Sequence, residues 1–310
     1  LIFNMMADKK EDDREKLFTF FYFLEEMKTE SKIEIWKKIQ AYFLILKEWF
    51  DKRRIYHKVG YLIAIGVKMQ TLINESKDLT KTAFQETLDD KIINSLDLTR
   101  DEALDLSYKN SNDRSSIENL LLLFNVETVR SLQNTNEKFP FEYHKQKKWS
   151  LEHIHAQNSE GLNKVEDQQQ WLMSHKKSLF DLIIRSEKPE QIETVINKID
   201  ENYDNITKVV FDVIFAEVFA LLSADEDRAY MDSITNMALL GTEDNAALNN
   251  STFDVKRNKI LEMDKNGDYI PICTRRIFLK YYTESKDNQL QFWGEADRKA
   301  YIEAMAGKTG

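Results

Sequence analysis

Five histidines serve a chain of 310 residues, and two of them stand two positions apart in KWSLEHIHAQN, residues 148–158, with Glu152 directly before His153 and His155 just beyond. A carboxylate beside an imidazole can place a base next to a metal ligand. Histidine is neutral near physiological pH and can take a proton from water, and a glutamate oxygen suits a hard divalent ion such as Mg2+, which keeps several of its waters. The His-X-His spacing also occurs in zinc sites. The plain alternative is a polar strand with Trp149, Leu151 and His153 on one face and Ser150 and Glu152 on the other. Adjacent strand residues point to opposite faces, so Glu152 and His153 share a site only where the strand ends or bends. The loop-like HAQN that follows allows that.

A second stretch, MDSITNMALLGTEDNAALNNSTFDVKRNKILEM from Met231, supplies partners of the right type. It reads as a short strand-like piece, a turn at Gly241, a loop crowded with Asn and Asp, and a helix capped by Ser251 or Thr252. Asn236, Asn245 and Asn249 offer amide oxygens, and Lys256 and Arg257 lie on the helix after them. Between the two stretches, at about 159–230, QQQWLMSHKKSLFDLIIRS, a turn at Pro189 and two further apolar segments read as a helical insertion. Ahead of them, residues 1–135 carry apolar and aromatic residues at helical spacing and read as a helical domain. In NEKFPFEYHK the aromatics Phe139, Phe141 and Tyr143 alternate around Pro140, which predicts a strand there.

The whole is expected to be mainly α, because eight Gly and three Pro leave long stretches of Leu, Lys, Glu and Ile unbroken. The length suggests two domains, 1–135 and 136–310. A single cysteine, Cys273, forbids an internal disulfide and a Cys-based zinc site, and fits a reducing cytoplasm. The apolar run YLIAIGV is cut short by Lys68, so no membrane partner is expected. A net charge of −9 argues against coating nucleic acid by bulk electrostatics. Local basic clusters remain, at KQKK before the histidines, which includes Lys148, and between Lys256 and Lys280. No G-x-x-x-x-G-K-[ST] loop is present to cradle a nucleotide.

An acidic residue and a histidine on one strand, then a second strand and an Asn-rich loop entering a basic helix, is the layout of a ββα-metal nuclease site. LEHIHAQN together with SITNMALLGTEDNAALNNSTFDVKR resembles the C-terminal nuclease domain of the GmrSD-type modification-dependent restriction enzymes, a branch of the HNH or His-Me finger superfamily. It is also similar to the HNH domain of the RNA-guided CRISPR effector nucleases, where a comparable acidic-His-Ile start is followed by a DSI.N strand and a second Asn nine residues on. Here those positions are Asp232, Ser233, Ile234, Asn236 and Asn245. The likeness extends over about 139–283, through YIPICTRRIFLKYYT.

The resemblance implies a helical domain plus a ββα-metal nuclease core carrying a long helical insertion, and a metal-dependent DNA endonuclease or nickase in restriction or antiviral defence. His153 would be the general base and Asn236 would orient its imidazole or support the loop. Glu152 and Asn245 would hold one Mg2+ or Mn2+, and Lys256, Arg257 and Lys148 would contact DNA, possibly modified. His155 and Asn249 would flank the site. The family's N-terminal ParB-like nucleotide-binding domain is absent from this sequence, which opens at Leu1, so a preceding part is expected. The sequence also departs from the family pattern. Ala156 stands where EHI.P has proline, and about seventy residues separate the two halves, an insertion that a fold tolerates if its ends meet. Two other readings stay open: a catalytically degenerate helical interaction module of a defence complex, and a His-X-His zinc hydrolase. His57, His144 and His175 lack acidic neighbours and read as surface or packing residues.

Overall fold

A computed structural model describes residues 1–7, 17–155, 162–184, 186, 189–222, 229–248, 251–284, 290 and 292–309, apart from the side chains at 100, 147, 229 and 245–247. The protein is mainly helical, as its scarcity of breakers dictates. It forms two compact units, one of 1–97 and 129–141, the other of 98–128 and 142–310.

The first unit holds α1 (Ile2–Met6), α2 (Phe18–Thr29), α3 (Lys32–Asp51), α4 (Arg53–Ala64), α5 (Met69–Lys77) and α6 (Lys81–Leu96). Polar caps start two of them: Ser31 accepts from the Glu34 amide at 3.2 Å and Thr80 from the Ala83 amide at 3.2 Å, each replacing a partner the first turn lacks. Trp49 of α3 stacks on Phe84 of α6, with Tyr61, Leu62, Leu72 and Leu88 buried around them. Residues 129–141 are fastened to α4 by two side chains one turn apart. Arg53 donates to the carbonyls of Val129, Arg130, Leu132 and Glu137. His57 donates its Nδ1–H to Arg53 O at 2.6 Å and accepts the Phe139 amide on Nε2 at 3.0 Å.

The second unit contains α7 (Arg100–Asp105), most of α8 (Ser111–Arg130), α9 (Phe141–Lys147), β1 (Trp149–His153), α10 (Val165–Ile183), α11 (Pro189–Asn202), α12 (Lys208–Leu221), β2 (Met237–Gly241), α13 (Thr242–Leu248), α14 (Phe253–Asn266), α15 (Ile272–Phe278) and α16 (Glu295–Thr309). The strand expected around Phe139–Tyr143 is instead the approach to α9. Pro140 immediately precedes the first helical residue, where a missing N–H costs nothing because that group has no intrahelical partner anyway. The three aromatics then take separate neighbours: Phe139 packs on Phe141, whereas Tyr143 stacks on Tyr269. α10, α11 and α12 share one apolar core, including Trp171, Leu179, Ile196, Ile199, Phe211 and Phe215. Among the described residues no helix is long and apolar enough to cross a membrane.

Candidate functional site

β1 and β2 pair antiparallel across more than eighty residues of intervening chain, with Trp149 opposite Gly241, Glu152 opposite Ala238 and His153 opposite Met237. β2 is buried along its whole length. Part of its remaining hydrogen-bonding capacity is met by side chains: Tyr301 OH donates to Met237 O at 3.1 Å, and Thr274 Oγ1 donates to Leu239 O at 2.6 Å. A strand covered in this way offers little edge for further pairing. At the far end of the ladder Lys148 sits at φ 43° and its carbonyl accepts from Thr242 Oγ1, so β1 starts where α13 begins.

Asn236 fixes the exit from β1. Its backbone carbonyl accepts from the Ile154 amide at 2.8 Å, and its side-chain oxygen accepts from the His155 amide at 3.0 Å. Its Nδ2 donates to the carbonyls of His155 at 3.1 Å and Met231 at 2.9 Å. Asn236 is fully buried, so truncating it would strand three backbone groups at about 1–3 kcal/mol each. Of its two expected roles, the described contacts are those of loop support. They run to the backbone of His155 and not to the imidazole of His153.

Glu152 and His153 diverge from the strand end. The Glu152 carboxylate forms an ion pair with Lys256 of α14, whose ammonium also donates to His153 O at 2.6 Å. Lys256 is 1% exposed. A buried ammonium of this kind acts on Glu152 and on the β1 backbone, and it is enclosed away from any surface phosphate. Burial pushes the Glu152 carboxyl above its ordinary range, and the Lys256 charge opposes that rise.

Burial and the nearby Lys256 charge pull the His153 imidazole down to about 4, against a smaller upward pull from Asp232. Its ring is therefore neutral near pH 7. Nε2 is buried with no hydrogen-bond partner among the described residues, an arrangement that native interiors mostly avoid. Tyr108 packs against this ring at 4.9 Å between centroids with the planes near perpendicular. Tyr108 and its neighbour Lys109, which pairs with Asp232 at 2.7 Å, were not legible as site residues. The only signal was the DSI.N motif containing Asp232, which does not say what will pair with it.

His155 is 1% exposed, its ring packs on Phe219 and its Nδ1 accepts the Phe253 amide at 3.1 Å. His175, fully buried and stacked on Trp171, donates Nδ1–H to Trp171 O at 2.8 Å and accepts the Thr252 amide on Nε2 at 3.1 Å. Two imidazoles thus cap α14 from other parts of the chain. Thr252 holds the cap position, yet its own hydroxyl makes no cap bond and lies buried without a partner among the described residues. Arg257 is half-buried and Lys148 is exposed. Asn245 lies in α13, four residues past the end of β2, with its side chain outside the described atoms, and Asn249 lies outside the described residues.

Among the described residues no group of three His, Cys, Asp or Glu side chains could hold a metal ion. The pair that the resemblance implies, one carboxylate and one amide, is not of that type. A glutamate carboxylate is of the donor type a hard hydrated cation takes, and here the Glu152 carboxylate is paired with Lys256. Compared with protein-family models, curated proteins and solved structures, the chain matches none.

Proposed function

We propose that this chain is a metal-dependent endonuclease or nickase of HNH or His-Me finger type, cutting DNA in cytoplasmic defence against foreign, modified sequence. The observation that supports it most is the Nε2 of a neutral His153, without a partner among the described residues, at the end of β1, on a strand paired with the one that leads within four residues to Asn245. A neutral imidazole with a free ring nitrogen can accept a proton from the water that attacks phosphorus. Glu152 and Asn245 would hold Mg2+ or Mn2+, which when bound would draw charge from the scissile phosphate and the leaving oxygen. Lys256 opposes the rise that burial imposes on the Glu152 carboxyl and ties it to the His153 backbone. Asn236 fixes the turn after His153. Lys148 and Arg257 would meet the phosphate backbone, and the order of the interaction would be set by charge rather than by base contacts.

One observation favours the competing reading, a degenerate module: Lys256 already neutralises Glu152, so the carboxylate needs no metal to be stable where it lies. Supercoiled plasmid incubated with Mg2+ or Mn2+ separates the two. The nuclease reading expects metal-dependent nicking that falls roughly 100- to 10,000-fold in His153→Ala, the usual worth of a general base. Intact plasmid with either metal, in the unaltered chain, would count for the module.

A further inference from the structure

The proposed base leaves a question of geometry: what holds the His153 ring? A general base works only when its nitrogen is kept on the line of the proton it takes. Asn236, the residue expected to orient the imidazole, has its amide oxygen and nitrogen engaged by the backbone of His155 and Met231. His153 Nε2 has no hydrogen-bond partner among the described residues. The described ring contact on the imidazole comes from Tyr108, at 4.9 Å and an interplanar angle of 75°, the edge-to-face arrangement that aromatic quadrupoles favour.

Tyr108 is itself held from several sides. Its amide donates to Asp232 O at 2.8 Å, and Ser107 forms a β-bridge with Ser233, so the 107–108 backbone is tied to the segment just before Asn236. Arg114 donates Nε–H to Tyr108 O at 2.8 Å and lays its guanidinium over the Tyr108 ring at 4.4 Å, a cation–π contact. Guanidinium, phenol and imidazole therefore pack in sequence, anchored through the backbone to the segment that contains Asn236.

We infer that Tyr108 is the positioning residue for His153, with Arg114 holding Tyr108 in place. The inference rests on His153 being the base of the proposed nuclease, and it concerns a residue outside both stretches that carry the nuclease resemblance. Tyr108 touches neither substrate nor metal in this scheme. Its effect is exerted through the orientation of the imidazole, so it belongs in kcat and not in substrate binding.

The test compares the full chain with Tyr108→Leu, Tyr108→Phe and Arg114→Ala, by NMR of the His153 ring protons and by steady-state plasmid nicking with Mn2+. Tyr108→Leu is expected to move the His153 ring resonances, to remove their cross-peaks to an aromatic ring, and to lower kcat roughly 3- to 10-fold with KM within about twofold. Tyr108→Phe, which keeps the ring, is expected to restore both readouts. Arg114→Ala, a surface change that cannot empty the core, is expected to move the same resonances by a smaller amount. Unmoved His153 resonances in Tyr108→Leu, or a raised KM with unchanged kcat, would overturn the inference. If the unaltered chain cleaves nothing, the nuclease reading fails, and the resonances alone still decide whether Tyr108 holds the ring.

Discussion

His57 and His175 use both ring nitrogens on backbone groups, each donating Nδ1–H to the carbonyl four residues back and accepting an amide from a distant segment on Nε2. Only the neutral ring can do both, since a protonated Nε2 has nothing left to accept with. Burial accordingly lowers His57 to about 4 and His175 to about 3 from the ordinary 6.5. Both shifts are downward, so the unfolded chain binds more protons between the two values. The stabilisation is full above about pH 6.5 and is lost as pH falls toward 4 and 3. At pH 5 each histidine should have given up about 2 kcal/mol relative to pH 7, at about 1.4 kcal/mol per pH unit. Urea unfolding at pH 7 and pH 5 checks this. His175→Gln, which retains an acceptor but cannot charge in this range, should flatten the dependence, and an unchanged slope would contradict the assignment. Sequence read both as surface or packing residues. It could not identify their partners, because Phe139 and Thr252 lie 82 and 77 residues away.

At the level of elements, what was legible followed from periodicity, and what was missed followed from tertiary contacts. The alternation in Trp149–His153 and the turn at Gly241 marked β1 and the end of β2, and Ser251 or Thr252 marked the start of α14. The approach to α9 was misread because aromatic alternation across three positions fits a strand and a proline-led helix start equally well. The capping of α14 by His155 and His175 has no local signature, since both imidazoles come from other segments. Gly60 shows the same dependence on packing. It lies inside α4, where alanine usually adds about 0.5–1 kcal/mol, but a Cβ there would come within 2.1 Å of the Phe141 ring. That ring is confined by Phe139 and Tyr56. Gly60→Ala should therefore destabilise, by about 1–3 kcal/mol as overpacking does, and Gly60→Ala with Phe141→Leu should recover part of the loss. Thermal melting of the three proteins decides it, and a raised melting temperature in the single variant would refute the packing argument.

For the molecule as a whole, composition alone made the helical class legible, while the pairing of β1 with β2 depended on a motif that spans the three-helix segment between them. Glu152 and His153 lie on β1 and Asn236 immediately precedes β2; the motif gave no hint that Lys256 would be enclosed against Glu152 or that Tyr108 would meet His153. The net charge of −9 sets the terms for any DNA contact. A few phosphate neutralisations by residues such as Lys148 give weak binding that should fall roughly 10- to 100-fold between 50 and 200 mM salt. Fluorescence anisotropy with a short duplex measures this, and salt-independent binding would show that phosphates are not what the chain holds. The central claim, that Glu152 and Asn245 frame a cation beside His153, is tested most directly by soaking or growing crystals with Mn2+ and measuring its anomalous scattering. A peak within bonding distance of a Glu152 carboxylate oxygen and the Asn245 amide oxygen is expected. A map with no peak there, and Asn245 turned away from His153, would contradict it.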